Sequence, residues 1–329
     1  MKECSMLKFL YILTSNEKDI YYEQTLVSVL SLRHYNPQAF ITLLVDDKTD
    51  KSLVGFRAGI KDLVNEYKVI TFDEKIGGLA RSRLLKTNMR NLLEGDFLYL
   101  DGDTAFVDKL EVEVDDSCDV GGIPDLHSHK NDPYHIKHKG DNRNKRILGF
   151  TLSLAEVFFN GGVIFARDTA KAREFFNKWH ELYQYCNTKG VYTDQISLNE
   201  TNQLLGFPMK ELPGEWNCQV REAYNHLHRV KDIYPILCSA KIVHFFGSGI
   251  DGKREPHPLM RKDFFMQIKE EQKVNEEKLQ IIYNARTAFV GAPEKLDVSA
   301  KFPLFFIYRQ FPRLFKILHC LKNGFAREK

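Results

Sequence analysis

Phe97-Leu98-Tyr99-Leu100-Asp101-Gly102-Asp103-Thr104-Ala105-Phe106 is an apolar run interrupted by two carboxylates. It follows the turn-like Glu94-Gly95-Asp96, and its apolar part suits a short strand covered on both faces. In extended geometry Asp101 and Asp103 leave the same side of the strand. Gly102 between them lets another group approach the backbone closely. Adjacent carboxylates repel each other, and a cation between them keeps both ionised. A divalent ion held by two carboxylates still has positions open for phosphate oxygens. The stretch therefore points to a metal–diphosphate site at a strand's carboxyl end. A solvated Asp-Gly turn is the plain alternative that so short a motif leaves standing.

Outward from this stretch, strands and helices alternate. Residues 7–13 and 40–45 read as buried strands, and residues 22–35 as a helix stopped by Pro37. A helix over 53–67 and a strand over 68–72 fit next. Gly77-Gly78 then opens a basic helix carrying Arg81, Arg83, Lys86 and Arg90. Such alternation argues for a doubly wound, mostly parallel α/β sheet, whose ligands sit beyond the carboxyl ends of the strands. Thr14, Asp46 and Asp101 all fall at such ends. Arg83 and Lys86 share one helix face, either as fixed cations for phosphates or as a solvated basic face.

Residues 119–124 read as a further strand, followed by a polar stretch with His127, His129, His135 and His138. No cysteine accompanies these histidines, so a loop over an acceptor is expected rather than a zinc site. Phe159-Asn160-Gly161-Gly162-Val163 admits two readings. One is a hairpin turn. The other is a site in which the Asn160 amide meets sugar hydroxyls and the glycines let a ring pack on backbone. Asp168 is expected to cap a helix whose core stripe includes Phe175, Phe176 and Trp179. Thr193-Asp194-Gln195 opens another helix, where the first two residues need be no more than caps. His244, in Val243-His244-Phe245-Phe246-Gly247, is either a core histidine or a metal ligand. As a ligand beside two carboxylates it makes a mixed N/O shell that suits Mn²⁺ and tolerates Mg²⁺. Gly247 and Gly249 offer backbone N–H groups to a diphosphate.

The 329 residues, 43% hydrophobic and 28% charged, can bury a large core. The net charge of +3 is too small to call for a nucleic-acid partner. Six scattered cysteines, with no C-x-x-C pair, suit a reduced, cytoplasmic protein rather than a disulfide framework. No apolar run spans a bilayer, and no secretory leader is expected. The tail differs. Residues 264–283 read as one charged helix. Residues 301–325 combine Phe305, Phe306, Leu314, Ile317, Leu318 and Leu321 with Arg309, Arg313, Lys316 and Lys322. A basic amphipathic segment of this kind is expected to lie on a membrane surface, here the inner face of the cytoplasmic membrane.

In order and spacing, Tyr99-Leu100-Asp101-Gly102-Asp103, Phe159-Asn160-Gly161-Gly162-Val163, Asp194-Gln195 with Leu198-Asn199, Trp216-Asn217 and Val243-His244-Phe245-Phe246-Gly247 resemble the GT-A fold glycosyltransferases. Within them the chain is similar to the family-eight retaining enzymes, the glycogenin-like and lipopolysaccharide sugar transferases, over residues 7–249. The resemblance implies a nucleotide-diphospho-sugar transferase domain over 1–252, with a single mixed, mostly parallel sheet flanked by helices. A helical extension over 253–329 follows. It implies Mn²⁺ or Mg²⁺ on Asp101, Asp103 and His244. Thr14 and Ser15 would contact base and ribose, and Arg83 or Lys86 the phosphates. Asp46, Gly102, Gly161, Gly162 and Gly247 belong to the same donor site. Asp125, Asn160, Asp194 and Gln195 would form the sugar pocket, with Gln195 facing the anomeric carbon. The implied partners are a nucleotide-diphosphate sugar, such as a UDP-sugar, and a saccharide or lipid-linked acceptor. The chain departs from the family where a lysine is usual: Ile250 stands there. Two other readings remain. One is an inactive sugar-nucleotide binder. The other is a haloacid-dehalogenase-type phosphatase, which this chain opposes with Ala105 where that family has threonine.

Overall fold

A computed structural model of the chain describes residues 6–129, 147–150, 156–220, 230–245 and 258–285, together with Leu314. Gly247, Ile250 and the rest of the basic tail lie outside the described residues. The strands are β1 (Lys8–Leu13), β2 (Phe40–Asp46), β3 (Glu66–Ile70), β4 (Phe97–Leu100), β5 (Thr104–Phe106), β6 (Val120–His129), β7 (Val157–Ala166), β8 (Lys210–Glu211), β9 (Cys218–Gln219) and β10 (Ile242–His244). The helices are α1 (Tyr21–Tyr35), α2 (Asp47–Ser52), α3 (Gly78–Leu92), α4 (Ala170–Thr188), α5 (Asp194–Leu204), α6 (Val230–Ser239), α7 (Lys262–Glu271) and α8 (Glu276–Tyr283).

The main sheet has the order β3-β2-β1-β4-β7-β6-β8. β1 to β4 run parallel, β7 runs against both β4 and β6, and β8 lies parallel to β6. The continuous apolar sequences of β1, β2 and β4 follow from burial on both faces. A second sheet, β5-β10-β9, stands beside the first. Asp101-Gly102-Asp103 is the chain's crossing from one sheet to the other, since β4 ends at Leu100 and β5 begins at Thr104.

α1 is buried nearly all round, with Leu26, Val29 and Leu32 in the core of the main sheet and Val27 in the core of the second. That double contact explains why its sequence shows no single apolar stripe. The second core also takes Leu259, Met260, Phe264, Phe265, Ile268 and Ile282. Residues 258–285 therefore share a core with residues on both sides of β10, and the boundary expected at 252 does not separate two cores. The single helix expected over 264–283 is two. Gln272 ends α7 in the left-handed region, at φ 50°, and Asn275 caps α8 by accepting from the Lys278 N–H. The segment expected as a helix over 53–67 is a 3₁₀ turn over Gly55–Leu63. Thr169, not Asp168, caps α4. The Asp168 carboxylate instead accepts from the Gly95 N–H and pairs with Arg173.

Candidate functional site

The site lies at the carboxyl ends of β1 and β4, where open α/β sheets place their ligands. Both sheets hold its ends by backbone hydrogen bonds. The Asp101 N–H donates to the Gly162 carbonyl at 2.8 Å, extending the β4–β7 ladder. The Phe245 N–H donates to the Asp103 carbonyl at 3.0 Å, and His244 pairs in register with Thr104. Asp101, Asp103 and His244 thereby converge, each offering a ligand atom within 4.8 Å of the others. Among the described residues this is the one such cluster of three.

The residues fit a divalent ion. The His244 ring is almost fully buried, with Nε2 3.1 Å from Asp103 Oδ1 and Nδ1 2.8 Å from Asn217 Oδ1. It packs on Gly162, where an added Cβ would stand 2.2 Å from His244 Cε1, so the glycine provides the cradle for the ring. Burial pulls the His244 imidazole down. The charge and hydrogen bond of Asp103, then the charge of Asp101, outweigh this and raise it above its ordinary value. The pocket thus favours positive charge between these groups, and two carboxylates with one imidazole suit Mn²⁺ or Mg²⁺.

Behind Asp101, Asp103 and His244 lies a network of ion pairs. Lys86, 3% exposed, bridges Asp101 Oδ1 and Asp194 Oδ2 at 3.0 Å each, and Arg83 Nε sits 3.0 Å from Asp194 Oδ1. Lys86 is therefore no part of a solvated basic face. Burial would raise the Asp194 carboxyl, but Lys86 and Arg83 overcome it and hold the carboxyl down at about 2. The Tyr99 hydroxyl donates to Asp101 Oδ1. Burial and the Asp101 charge push this phenol well above its ordinary value, so it keeps its proton. Tyr99 was legible as a partner, being two residues from Asp101 on the same strand face.

The hairpin reading of Asn160-Gly161-Gly162 is overturned, because all three lie inside the continuous strand β7. Asn160 is buried and donates from Nδ2 to Asp125 Oδ1 at 3.0 Å. Its Oδ1 accepts from the Gly162 N–H at 2.8 Å and from Asn217 Nδ2 at 3.1 Å. Asp125 sits before two non-glycine residues in the left-handed region, Leu126 at φ 57° and His127 at φ 48°. Such backbone costs about 1–3 kcal/mol per residue and persists only where its surroundings enforce it. Here the buried Gln219 side chain enforces it, accepting from the Leu126 N–H at 2.7 Å and donating to the Pro124 carbonyl at 2.9 Å. Asn199 locks α5 to β7 by accepting from the Phe159 N–H and donating to its carbonyl. The Trp179 indole and the Ser197 hydroxyl grip the Asp194 carbonyl. Gln195 stands partly exposed on the first turn of α5.

Two expected donor-site residues have other work in the structure. Asp46 is 0% exposed, pairs with Arg81 and caps α2 through the Thr49 N–H. The Ser15 hydroxyl donates to Asp19 Oδ1 at 2.6 Å and accepts from Arg57 at 3.0 Å. Both brace the loops around the strand ends and do not face open space. Thr14 differs, because its Oγ1 is buried among the described residues with no hydrogen-bond partner. His127 and His129 are engaged elsewhere, with the Gln219 N–H and with Glu211. His135 and His138 lie outside the described residues.

No family model and no curated protein matches the sequence. Solved structures do match. The galactosyltransferase LgtC, in complex with donor and acceptor sugar analogues, superimposes with a TM-score of 0.51 at 15% identity, over 84% of this chain and 100% of LgtC. An active-site mutant of LgtC, glutamine to glutamate, gives 0.51 at 14% identity, over 82% and 98%. The apo-form glycosyltransferase GlyE of Streptococcus pneumoniae TIGR4 gives 0.50 at 16% identity, over 85% of this chain and 63% of GlyE. The chain therefore has the mixed α/β fold of these glycosyltransferases, the GT-A fold.

Proposed function

We propose that this protein is a metal-dependent glycosyltransferase. It moves a hexose from a nucleotide-diphosphate sugar, in our reading a UDP-sugar, to a glycan or lipid-linked saccharide with retention at the anomeric carbon. The observation that carries the reading is the convergence of Asp101, Asp103 and His244 at the carboxyl edge of the parallel strands of a GT-A fold.

The three residues would hold Mn²⁺ or Mg²⁺, and the ion would stabilise the charge that develops on the departing diphosphate. The Thr14 hydroxyl, buried and without a hydrogen-bond partner among the described residues, would have to turn outward to meet the nucleoside. Asp125 and Asn160 offer oxygen and amide groups for sugar hydroxyls. Asp194, held ionised and paired on both oxygens with Lys86 and Arg83, fixes those two cations beside the sugar pocket. Gln195 places a neutral amide, a poor nucleophile, where the resemblance puts the anomeric carbon. Its counterpart in kind, an active-site glutamine, is the residue changed in the LgtC mutant. A front-side attack, with the leaving phosphate accepting the acceptor's proton, needs no strong base from the protein. The basic amphipathic stretch of residues 301–325 would hold the enzyme on the inner membrane face, near a lipid-linked acceptor.

The test is thermal melting with Mn²⁺ and uridine, guanosine or thymidine diphosphate sugars, followed by transfer assays with and without chelator. A melting point raised by one nucleotide class, and transfer lost on chelation and restored by Mn²⁺, is the expected result. No shift with any nucleotide in the presence of metal refutes the reading.

A further inference from the structure

We infer that Asn217 is a positioning residue for the metal site: with Asn160 it holds hydrogen on Nδ1 of His244, so that Nε2, the nitrogen 3.1 Å from Asp103 Oδ1, is the one left to bind an ion between Asp101 and Asp103. This rests on the metal reading above.

The chain of logic starts at a group whose role is fixed. The Gly162 backbone N–H can only donate, and it lies 2.8 Å from one end of the Asn160 side chain. That end must be the oxygen. The other end is then the amide nitrogen, and it meets the acceptor Asp125 Oδ1 at 3.0 Å. Because Asn160 Oδ1 only accepts, the Asn217 atom 3.1 Å away must be its amide nitrogen. Asn217 Oδ1 is therefore the atom 2.8 Å from His244 Nδ1, and that nitrogen must carry hydrogen. Nε2 faces the acceptor Asp103 Oδ1 at 3.1 Å, so a bound ion takes the place of hydrogen there and Nε2 is the metal-binding atom.

Burial makes the sequence of bonds binding. Asn160 is 3% exposed, Asn217 0% and His244 2%. Turning Asn217 over would set two oxygens against each other in a buried place. Both partners of Asn160 favour the same direction, the backbone N–H of Gly162 at its oxygen and the carboxylate of Asp125 at its nitrogen. Gly162 serves twice, giving the ring its space and the relay its reference donor. Partners that orient a ligating histidine are commonly as consequential as modest ligand changes.

Two variants and one wild-type measurement test this. Asn217→Leu keeps the size but neither donates nor accepts. Asn217→Asp loses the bond to Asn160 and sets an oxygen against Asn160 Oδ1, but it still accepts from Nδ1–H. Mn²⁺ alone, titrated by electron paramagnetic resonance, should bind Asn217→Leu about ten- to a hundredfold more weakly than wild type. Asn217→Asp should stay closer to wild type. A role in packing alone gives the opposite ranking, since a buried carboxylate disturbs packing more than leucine does. Should either variant fail to fold, the wild-type protein decides. It is labelled with ¹⁵N-histidine, loaded with diamagnetic Cd²⁺, and its His244 signal is assigned by its loss in His244→Gln. Long-range proton–nitrogen spectra should show hydrogen on Nδ1 and metal on Nε2. The reverse pattern, or equal Mn²⁺ affinity in wild type and Asn217→Leu, overturns the inference alone. Absence of Mn²⁺ binding by the wild type overturns the metal reading and this inference with it.

Discussion

Gly162→Ala isolates the steric fit of the site. The added methyl carbon would stand 2.2 Å from His244 Cε1, 2.7 Å from Nδ1 and 2.9 Å from Asn160 Oδ1. To restore ordinary contact the ring must withdraw by roughly 1 Å or β7 must bulge, at a cost of about 1–3 kcal/mol for overpacking. The ring has little freedom to withdraw, because Asn217 and Asp103 hold its two nitrogens. Misplacing a reacting or ligating group by about 1 Å costs roughly a hundredfold in rate, and a ligand forced off its bond direction loses Mn²⁺ affinity about tenfold or more. Gly161→Ala is the matched control. Its methyl would meet Asp194 Oδ2 and Lys86 Nζ at 3.4 Å, an ordinary contact. Mn²⁺ titration by electron paramagnetic resonance and thermal melting of both variants are the assays. Gly161→Ala should bind metal and melt close to wild type, and Gly162→Ala should do neither. Wild-type affinity and melting point in Gly162→Ala would refute the fit described for His244.

Three more outcomes follow from the same structure. Asp194 titrates in the native protein near 2, below its ordinary 3.8, so its contribution is complete above pH 4 and is lost as pH falls toward 2. The stability gap between wild type and Asp194→Asn, read by urea melts from pH 5 to pH 2, should narrow by ~2 kcal/mol, and a constant gap would contradict this. Lys86→Met leaves Asp101 and Asp194 without their shared cation and should lower stability by about 3 kcal/mol in urea melts at pH 7. A chain ending at residue 252 exposes the second core where Leu259, Met260, Phe264, Phe265, Ile268 and Ile282 cover it. The loss, on the order of 10 kcal/mol, equals a typical domain's whole stability, so circular dichroism should show no cooperative melt.

Much of the fold was legible because burial writes itself into local sequence. β4 is apolar throughout, and β1 and β2 are so apart from Lys8, Thr42 and the terminal Asp46, so their carboxyl ends fall where the polar residues begin. The Asp101/Asp103 pair was legible as a motif, but strand alternation is not what joins it: the two lie in the crossing between β4 and β5, and backbone bonds to Gly162 and Phe245 hold them. What stayed hidden depends on partners far along the chain. Nothing near Asp46 announces Arg81, and nothing near Ser15 announces Arg57. Asn160-Gly161-Gly162 carries a strong hairpin signal, yet Gly162 is demanded by a ring that arrives from β10. The break between α7 and α8 was invisible because Gln272 occupies a left-handed position where glycine is the usual marker.

The two sheets give this hidden part its logic. Asp101 is tied by its backbone to β7 of the main sheet, while Asp103 and His244 are tied to each other's strands in the second. A cation held by all three would join two separately packed cores, and its geometry depends on how firmly those cores sit against each other. α1 sets that relation, since its residues enter both cores and Thr25 packs against Gly102 at the crossing itself. The Tyr11, Ser28 and Thr104 hydroxyls continue the connection, linking β1, α1 and β5 by hydrogen bonds of 2.9 Å. α7 and α8 close the second core from outside, and the Tyr35 hydroxyl fastens α1 to the Tyr283 carbonyl. The C-terminal helices therefore bear on Asp101, Asp103 and His244 through α1, so the site depends on chain well beyond its own motifs.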